Sequence, residues 1–221
     1  MKNSTKSRIA NCFIQLVVEL TDPRKRVSTT DIVKSLGMDR KSFYRHFENT
    51  SDLVIWIFRS ELAEILSSPE FESHHLECPD PSLHDAYPDL PFFARAPLID
   101  GKIDQSTYSK AICTMVNGKP EYYKRILTYP CYLDFYYYLL SLFQPSIKSI
   151  IELLIGPDHT MPDEEIAFLS EYHTVAYIGR LQYWYVMKRS VLPEDNLERV
   201  WNYSCDALKE TIERLALPKD A

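Results

Sequence analysis

The chain has 221 residues, 45% of them hydrophobic and 25% charged, so it is long enough to bury a core in one or two domains. No uninterrupted apolar run approaches the roughly 18–20 residues of a membrane span and no signal peptide follows the basic N-terminus, so we expect a cytoplasmic protein with no membrane partner. The net charge of −6 is divided unevenly: residues 1–52 carry ten basic and six acidic side chains, a net +4, which leaves −10 for the remainder. A basic head on an acidic body is suited to binding phosphates.

The first two helices are predicted from hydrophobic spacing and from the residues at their ends. One face of apolar residues predicts a helix from Thr5 to Leu20. It ends before Asp22-Pro23, because the residue that precedes a proline is driven out of the helical region. A second helix begins at Ser28, which is spaced from Asp31 as in a capping box. Gly37 supplies the flexible backbone for a tight turn after it.

The next two helices complete the N-terminal region. Asp39 is predicted to cap a third, short helix that turns Phe43 and Phe47 inward. Asn49 caps a fourth helix over Thr50–Leu66. The second and third helices, joined by a glycine-containing turn, are a helix-turn-helix candidate in which the third helix reads the DNA groove.

The remaining residues are predicted to be helical after a long irregular connection. Six prolines lie between Pro69 and Pro97, which predicts a loop with at most short helical turns. Helical patterns then cover Gln105–Val116, Pro120–Leu127, Cys131–Phe143, Ser146–Ile155, Asp163–Arg189 and Pro193–Ala216. Pro145 separates the third and fourth of these, and no segment alternates with period two. The expected fold is all-α, with a three-helix head (1–49) and a helical regulatory and dimerisation domain (50–221), which includes a connecting helix (50–66) and a proline-rich loop region (67–104).

The helix-turn-helix candidate carries a specific motif. It runs from Val27 to Phe47 and contains Ser42-Phe43-Tyr44-Arg45-His46-Phe47 at a characteristic distance from Gly37. This stretch resembles the head of the TetR/AcrR family of bacterial transcriptional regulators, which ends in a Phe-Tyr-x-His-Phe tail. The resemblance covers about residues 8–66. It implies a TetR-like fold and a ligand-responsive repressor that binds a palindromic double-stranded operator.

By this resemblance, eight residues occupy the DNA-contacting positions of the family: Thr29, Thr30, Arg40, Lys41, Ser42, Tyr44, Arg45 and His46. Their chemistry agrees, because Arg can pair with guanine while Lys, Ser and the Tyr hydroxyl reach phosphates or base edges. The chain departs from the family at two places. Thr50 stands where a phosphate-binding Lys is usual, and Lys41 where a small residue is common.

The body is rich in tyrosine, with 15 in the whole chain, and tyrosine suits both a core and the wall of an apolar pocket. The resemblance favours a pocket for a small-molecule effector, which we expect between the Cys131–Phe143 helix and the first half of Asp163–Arg189. The predicted lining is Phe135, Tyr136, Leu139, Tyr172 and Tyr177. The segment 69–97 would cover its entrance. Packing in the core is the alternative role of each residue.

A palindromic operator calls for a homodimer, and the family usually pairs its last two helices in a four-helix interface. We expect the apolar residues of these helices to form it: Ile166, Leu169, Tyr172, Ala176, Leu181, Trp184, Tyr185, Leu197, Trp201, Leu208, Ile212 and Leu215. The alternative is that both helices belong to the core of one protomer.

Other functional classes have little support in the sequence. The five cysteines are scattered, which gives neither a disulfide framework nor a zinc ribbon. The loop residues His74, His75, Cys78, Asp80 and His84 lack the spacing of a metal site. There is no glycine-rich nucleotide motif and no catalytic motif, so we expect no enzyme, cofactor or metal. The alternatives are a regulator whose body binds a protein partner, and a helical enzyme.

Overall fold

The computed structural model describes residues 4–22, 24–79, 86–100, 102–188 and 192–219. The α-helices in these ranges are α1 (Thr5–Glu19), α2 (Thr29–Leu36), α3 (Arg40–Tyr44), α4 (Thr50–Leu66), α5 (Ser106–Gly118), α6 (Pro120–Thr128), α7 (Leu133–Ile155), α8 (Asp163–Tyr183) and α9 (Asn196–Leu215). Three antiparallel pairs of short strands accompany them: β1 (His75–Glu77) with β2 (Phe93–Arg95), β3 (Leu98–Ile99) with β4 (Lys102–Ile103), and β5 (His159–Thr160) with β6 (Leu217–Pro218). The predicted helical fold class is confirmed.

The N-terminal helices pack around apolar side chains that the sequence predicts to face inward. Ile9 and Phe13 of α1 are fully buried, as are Ile32 of α2 and Phe43 of α3. Phe47 follows α3 and packs its ring against Trp56 of α4, with the ring centroids 5.5 Å apart. The position of α3 is therefore fixed from its buried side, which leaves its other side free to meet a partner.

Helix α7 is continuous over Leu133–Ile155, so the predicted break at Pro145 is wrong. Pro145 is exposed, and its neighbours Phe143, Ser146 and Ile147 are buried against the body. The helix tolerates the proline because packing of this apolar face, most extensively on α8, stabilises both halves in one line. By length and composition alone the stretch Pro130–Ile155 could cross a membrane, as core helices of globular proteins also could.

The proline-rich region contains more regular structure than predicted. A 3-10 turn spans Pro69–Phe71, and β1 pairs with β2 in the register His75 with Arg95 and Glu77 with Phe93. Strands of three residues are too short to show alternating hydrophobicity in the sequence. Apolar side chains of this region are buried in the core and anchor it there, namely Phe71, Phe92 and Phe93.

Helices α8 and α9 are built mostly as predicted, although their ends differ. Helix α8 passes into a π-helical segment, Trp184–Lys188, and the predicted end at Arg189 lies outside the described residues. Helix α9 begins at Asn196, after a turn that follows Pro193. Most residues that we expected at a dimer interface are buried within this one chain, namely Ile166, Leu169, Leu181, Tyr185, Leu197, Trp201, Leu208 and Ile212. Their spacing showed that they share an apolar face of each helix, but it did not show whether that face packs within one protomer or against a second one.

Candidate nucleic-acid interface

Helix α2 is fixed at both ends by local hydrogen bonds. The Ser28 hydroxyl oxygen accepts from the Asp31 N–H at 3.2 Å, and the Asp31 carboxylate accepts from the Ser28 N–H at 2.9 Å, which completes the predicted capping box. The Ser28 hydroxyl also donates to the Asp31 carboxylate at 2.7 Å, and this bond together with the one from the Ser28 N–H holds the pKa of Asp31 below its usual value. At the other end Gly37 has φ +61°, a left-handed conformation that suits glycine. The turn there sets the direction of α3.

Asp39 caps the start of helix α3, and its carboxylate accepts from the Ser42 N–H at 2.7 Å and from the Ser42 hydroxyl at 3.1 Å. The buried Phe43 anchors the helix from below, and the Tyr44 ring meets the Phe43 ring edge-on at 5.5 Å. Tyr44 itself is 55% exposed. Arg40, Lys41 and Arg45 are also exposed, so the outer side of α3 presents three cations and a phenol.

The eight predicted DNA-contacting residues lie on α2, α3 and the two residues that follow α3. Thr30 is exposed and Thr29 half-buried at the start of α2, while Ser42 and His46 are half-buried around α3. The Arg40 guanidinium donates to the Thr30 hydroxyl at 2.6 Å, which brings two of the predicted contacts together across the helix pair. Thr50, where the resemblance leads us to look for a lysine, is half-buried at the first position of α4.

Polar contacts connect this head to the body at a junction formed by Arg26, Ser51 and Asp134. Arg26 lies in the loop before α2 and donates to the Asp134 carboxylate at 3.1 Å and to the Ser51 hydroxyl at 2.8 Å. The Ser51 hydroxyl donates to the same Asp134 oxygen at 2.5 Å. The Arg26 guanidinium also lies over the Tyr132 ring, 4.9 Å from its centroid. The start of α7 therefore holds the α1–α2 loop against the first turn of α4.

A second contact joins α6 to the end of α1. Arg125 donates to the carbonyl of Val17 at 2.6 Å and also to the carbonyl of Leu20. Carbonyls at a helix C-terminus lack partners within the helix and carry partial negative charge, so a guanidinium there is favourable. A movement of α6 would therefore displace Arg125 and change its hydrogen bonds to the end of α1.

The segment Tyr87–Leu90 connects the head to the middle of α4. The Tyr87 hydroxyl donates to Asp52 at 2.8 Å, and the Lys6 ammonium lies 5.3 Å from the Tyr87 ring centroid. Arg59, fully buried on α4, donates to the Tyr87 carbonyl at 2.9 Å, to the Leu90 carbonyl and to the Tyr138 hydroxyl at 2.9 Å. A buried guanidinium is costly unless it is hydrogen-bonded, so these contacts account for its position.

Among the residues that the structure describes, two small apolar cavities of the body adjoin each other. The larger, about 20 Å³, lies between α4, α5, α6, α7 and α8, and the predicted pocket residues Phe135, Leu139 and Tyr177 line it. The smaller, about 10 Å³, shares Phe143, Tyr177 and Ile178 with it. Of the other predicted pocket residues, Tyr136 is half-buried and Tyr172 is 60% exposed on α8, and neither is among the described residues that line these cavities. Tyr172 faces outward because the inner face of α8 is filled by Ile166, Leu169 and Ile178.

Sequence reasoning missed the junction residues and the buried amide of Gln105, which lines the smaller cavity. Arg26 and Asp134 are 108 positions apart, and nothing in the pattern near either one indicates the other. Gln105 directly precedes α5 and is 1% exposed. In the sequence Gln105 stands between Asp104 and Ser106 at the start of a helix. This position predicts a helix cap and gives no indication that the side chain lines a cavity. Among the described residues no cluster of three metal-ligating side chains occurs; Asp80 and His84 lie outside them.

Comparison with known proteins gives one sequence relative and a structural likeness. No family model matches the chain. Over 69 residues it is 32% identical to the HTH-type dhaKLM operon transcriptional activator DhaS of Lactococcus lactis subsp. lactis, a stretch that covers 30% of this chain and 36% of that protein. The matched stretch thus spans about a third of the length of this curated relative.

The likeness in structure extends over nearly the whole chain. The solved structure of the dihydroxyacetone kinase operon activator DhaS superposes with a TM-score of 0.54 and 16% identity, covering 98% of this chain and 100% of that one. The fatty acid degradation regulator FadR from Bacillus halodurans gives a TM-score of 0.44 at 11% identity over 95% of this chain and 97% of the other. At this identity the DhaS likeness establishes the fold: this chain has the helical architecture of that protein.

Proposed function

We propose that this protein is a DNA-binding transcriptional regulator that binds a palindromic operator as a homodimer and responds to a small molecule. The observation that carries the proposal is the outer side of α3. Arg40, Lys41, Tyr44 and Arg45 project from a helix that Asp39 caps and Phe43 anchors. Cationic and phenolic groups on a helix of this size can enter a major groove and contact both phosphates and base edges.

The comparisons support this class and bear on the direction of regulation. Both DhaS matches are named as activators, although the sequence match covers only 30% of this chain and the structural match has 16% identity. The sequence motif alone led us to expect a repressor. Repression remains the proposal, on the resemblance of the helix-turn-helix motif, since a protein bound where an operator overlaps a promoter blocks transcription without any further contact; activation is the second candidate. A reporter gene placed behind the operator decides between them by falling or rising when the protein is expressed.

A homodimer is supported by an apolar stripe on the outer face of α8. Phe168 and Tyr172 are each 60% exposed, Val175 and Tyr183 are each 48% exposed, and Met187 of the π-helical segment is 61% exposed. Their spacing places them on one face of the helix, and the rings of Phe168 and Tyr172 stack with centroids 6.3 Å apart. A contiguous exposed apolar face of this kind is typical of a protein interface. We propose that two copies of α8 pair through it.

The junction offers a route from the body to the head. A ligand changes DNA binding only if it prefers one of two arrangements of the heads, and full reversal of the population needs about 5.5 kcal/mol of such preference. The residues Asp134 and Arg125 contact the head through Arg26 and the end of α1, and both belong to helices that line the larger cavity. We propose that ligand binding in the body shifts α6 and α7 and so reorients the head.

Selection of bound genomic fragments tests the function. The full-length protein is mixed with sheared DNA from its source, and retained fragments are sequenced. We expect enrichment of a short palindromic sequence, lost in the Arg40→Ala/Tyr44→Ala/Arg45→Ala variant. Affinity should fall with salt, with a slope that decreases by about 1 per phosphate contact removed. Equal enrichment by the variant, or retention without any shared sequence, would contradict the proposal.

A further inference from the structure

The Gln105 side chain is buried without a hydrogen-bond partner. It is 1% exposed, and neither its amide nitrogen nor its amide oxygen meets a donor or acceptor among the described residues. Burying an amide in this way is unfavourable, because the bonds it makes to water are lost and not replaced. A buried polar group of this kind therefore indicates a missing partner.

Gln105 lines the smaller cavity, and the walls around it are apolar and aromatic. Phe143, Ile147, Tyr177 and Trp201 are among them. The space of about 10 Å³ holds no more than one water molecule, but the larger cavity of about 20 Å³ lies directly behind Phe143, Tyr177 and Ile178, which border both. The two spaces are therefore neighbours that share three side chains of their walls.

The other polar groups of this wall already have partners. The Tyr108 hydroxyl donates to the Phe92 carbonyl at 2.7 Å, and the Trp201 indole N–H donates to the Ile103 carbonyl at 3.1 Å. The Tyr177 hydroxyl is 3.1 Å from the Ser109 hydroxyl. The described lining of both cavities includes no Asp, Glu, Lys or Arg, so a charged ligand would find no counter-charge there.

We propose that Gln105 is the polar anchor of a binding site for a small, uncharged ligand with an apolar body and one hydroxyl or carbonyl group. The amide can both donate to and accept from such a group, while the aromatic walls cover the apolar part. The ligand occupies the two neighbouring cavities, with its polar end at α5 and its apolar end towards α4 and α7. This inference rests on the proposed function only in its consequence, that an occupied site alters DNA binding.

The test uses phenol and benzene, two probes of the same shape that differ in one hydroxyl. The full-length protein is titrated with each in the absence of DNA, and binding is followed by calorimetry and by the isoleucine methyl signals in NMR. We expect saturable phenol binding with shifts at Ile147 and Ile178. In the Gln105→Leu variant we expect phenol affinity to fall at least tenfold while benzene affinity is unchanged or higher. Gln144→Leu, a half-buried glutamine of α7 outside the described lining, should bind phenol as the wild type does.

Two results would overturn the proposal. One is that neither probe saturates, which would mean that Gln105 is met only by a water molecule. The other is that phenol loses no affinity in Gln105→Leu, or in Gln105→Met if the leucine variant fails to fold. The DNA-binding function is measured separately with the Lys41→Ala/Tyr44→Ala variant. If that variant binds DNA normally while phenol still binds, only the proposed function fails; if operator binding holds and phenol does not bind, only this inference fails.

Discussion

Arg26 donates through both terminal nitrogens of its guanidinium to a single oxygen of Asp134, at 3.1 Å each. The two residues belong to different parts of the fold, since Arg26 precedes α2 of the head and Asp134 lies in the first turn of α7 in the body. Ser51, at the start of α4, shares the same oxygen. The loop before α2, the start of α4 and the start of α7 therefore meet at one carboxylate. If α7 shifts relative to α4, either these hydrogen bonds break or the loop before α2 moves together with α7.

The Arg26–Asp134 pair should show measurable but modest coupling. The side chains are 27% and 42% exposed, so solvent screens the pair, and a double-mutant cycle of Arg26→Ala and Asp134→Ala should give about 0.5–1 kcal/mol in urea unfolding. The exposed Lys148–Glu152 pair within α7 serves as the control and should give at most about 0.5 kcal/mol. Additive effects of the two junction substitutions would show that the pair contributes nothing.

Substitutions on α3 should separate affinity from sequence preference. Lys41→Ala and Tyr44→Ala should weaken binding to all DNA sequences, because we propose that these side chains contact phosphates. Arg40→Ala should instead reduce the preference for the selected operator by about 1–3 kcal/mol, the discrimination of one bidentate contact with guanine. Binding to operator and to scrambled DNA by fluorescence anisotropy distinguishes the two effects. Tyr137→Ala, which removes a 59% exposed tyrosine of α7, should leave both affinities unchanged.

The outer face of α8 should control assembly. At micromolar concentration we expect the wild type to sediment as a dimer. Tyr172→Asp should shift it to a monomer with unchanged circular dichroism, because the carboxylate would be buried without a partner in the interface but solvated in the monomer. Tyr137→Asp places the same charge on α7 at a position of similar exposure and should remain dimeric. A wild-type monomer would refute the proposed interface.

The capping box should make the head sensitive to acid. The pKa of Asp31 is held below its ordinary value of 3.8 in the folded protein by the hydrogen bonds from Ser28. A lowered folded-state pKa means that the contribution of Asp31 to stability is fully present above 3.8 and is lost as the pH falls through the folded-state value. Asp31→Asn should therefore be less stable than the wild type at pH 7, and this difference should shrink below about pH 4.

The Ser28 hydroxyl, the other member of the capping box, provides a second test of this helix cap. Ser28→Ala removes the other half of the box and should cost about 1 kcal/mol. Urea unfolding of the wild type, Asp31→Asn and Ser28→Ala across the acid range measures the free-energy cost of each substitution and its dependence on pH. A difference between wild type and Asp31→Asn that does not change with pH would mean that the carboxylate has no special role at this cap.

Replacement of Pro145 by alanine should stabilise the protein. The proline is exposed, so its side chain contributes little packing, and alanine restores an N–H that can donate to the Ser141 carbonyl one turn earlier. Proline is about 3 kcal/mol less favourable than alanine within a helix, partly offset by the greater freedom of the unfolded alanine chain. We expect a gain of about 1–2 kcal/mol in the free energy of unfolding. A loss of stability would show that α7 needs the proline for its path across α8.

The N-terminal part of the molecule could be predicted because its information is local. Ser28 and Asp31 are three residues apart, Gly37 needs only its own backbone freedom, and Phe43 and Phe47 are separated by one turn of helix. Each signal acts within a few residues, so the spacing in the sequence was enough to place the helices and to identify the exposed residues of α3. The predicted roles of these residues in DNA binding remain predictions.

The features that connect the head to the body were decided by tertiary structure. Periodicity shows that a residue is apolar on one face, but not which surface covers it, so Ile166 and Trp201 were expected at an interface and lie in the protomer core. Pro145 stands within α7 because packing against α8 outweighs its local cost. The contacts of Asp134 with Arg26 and the isolation of Gln105 depend on chain segments far apart in sequence. The conformational preferences of a few neighbouring residues do not determine such contacts, because the contacts form only when the whole chain folds.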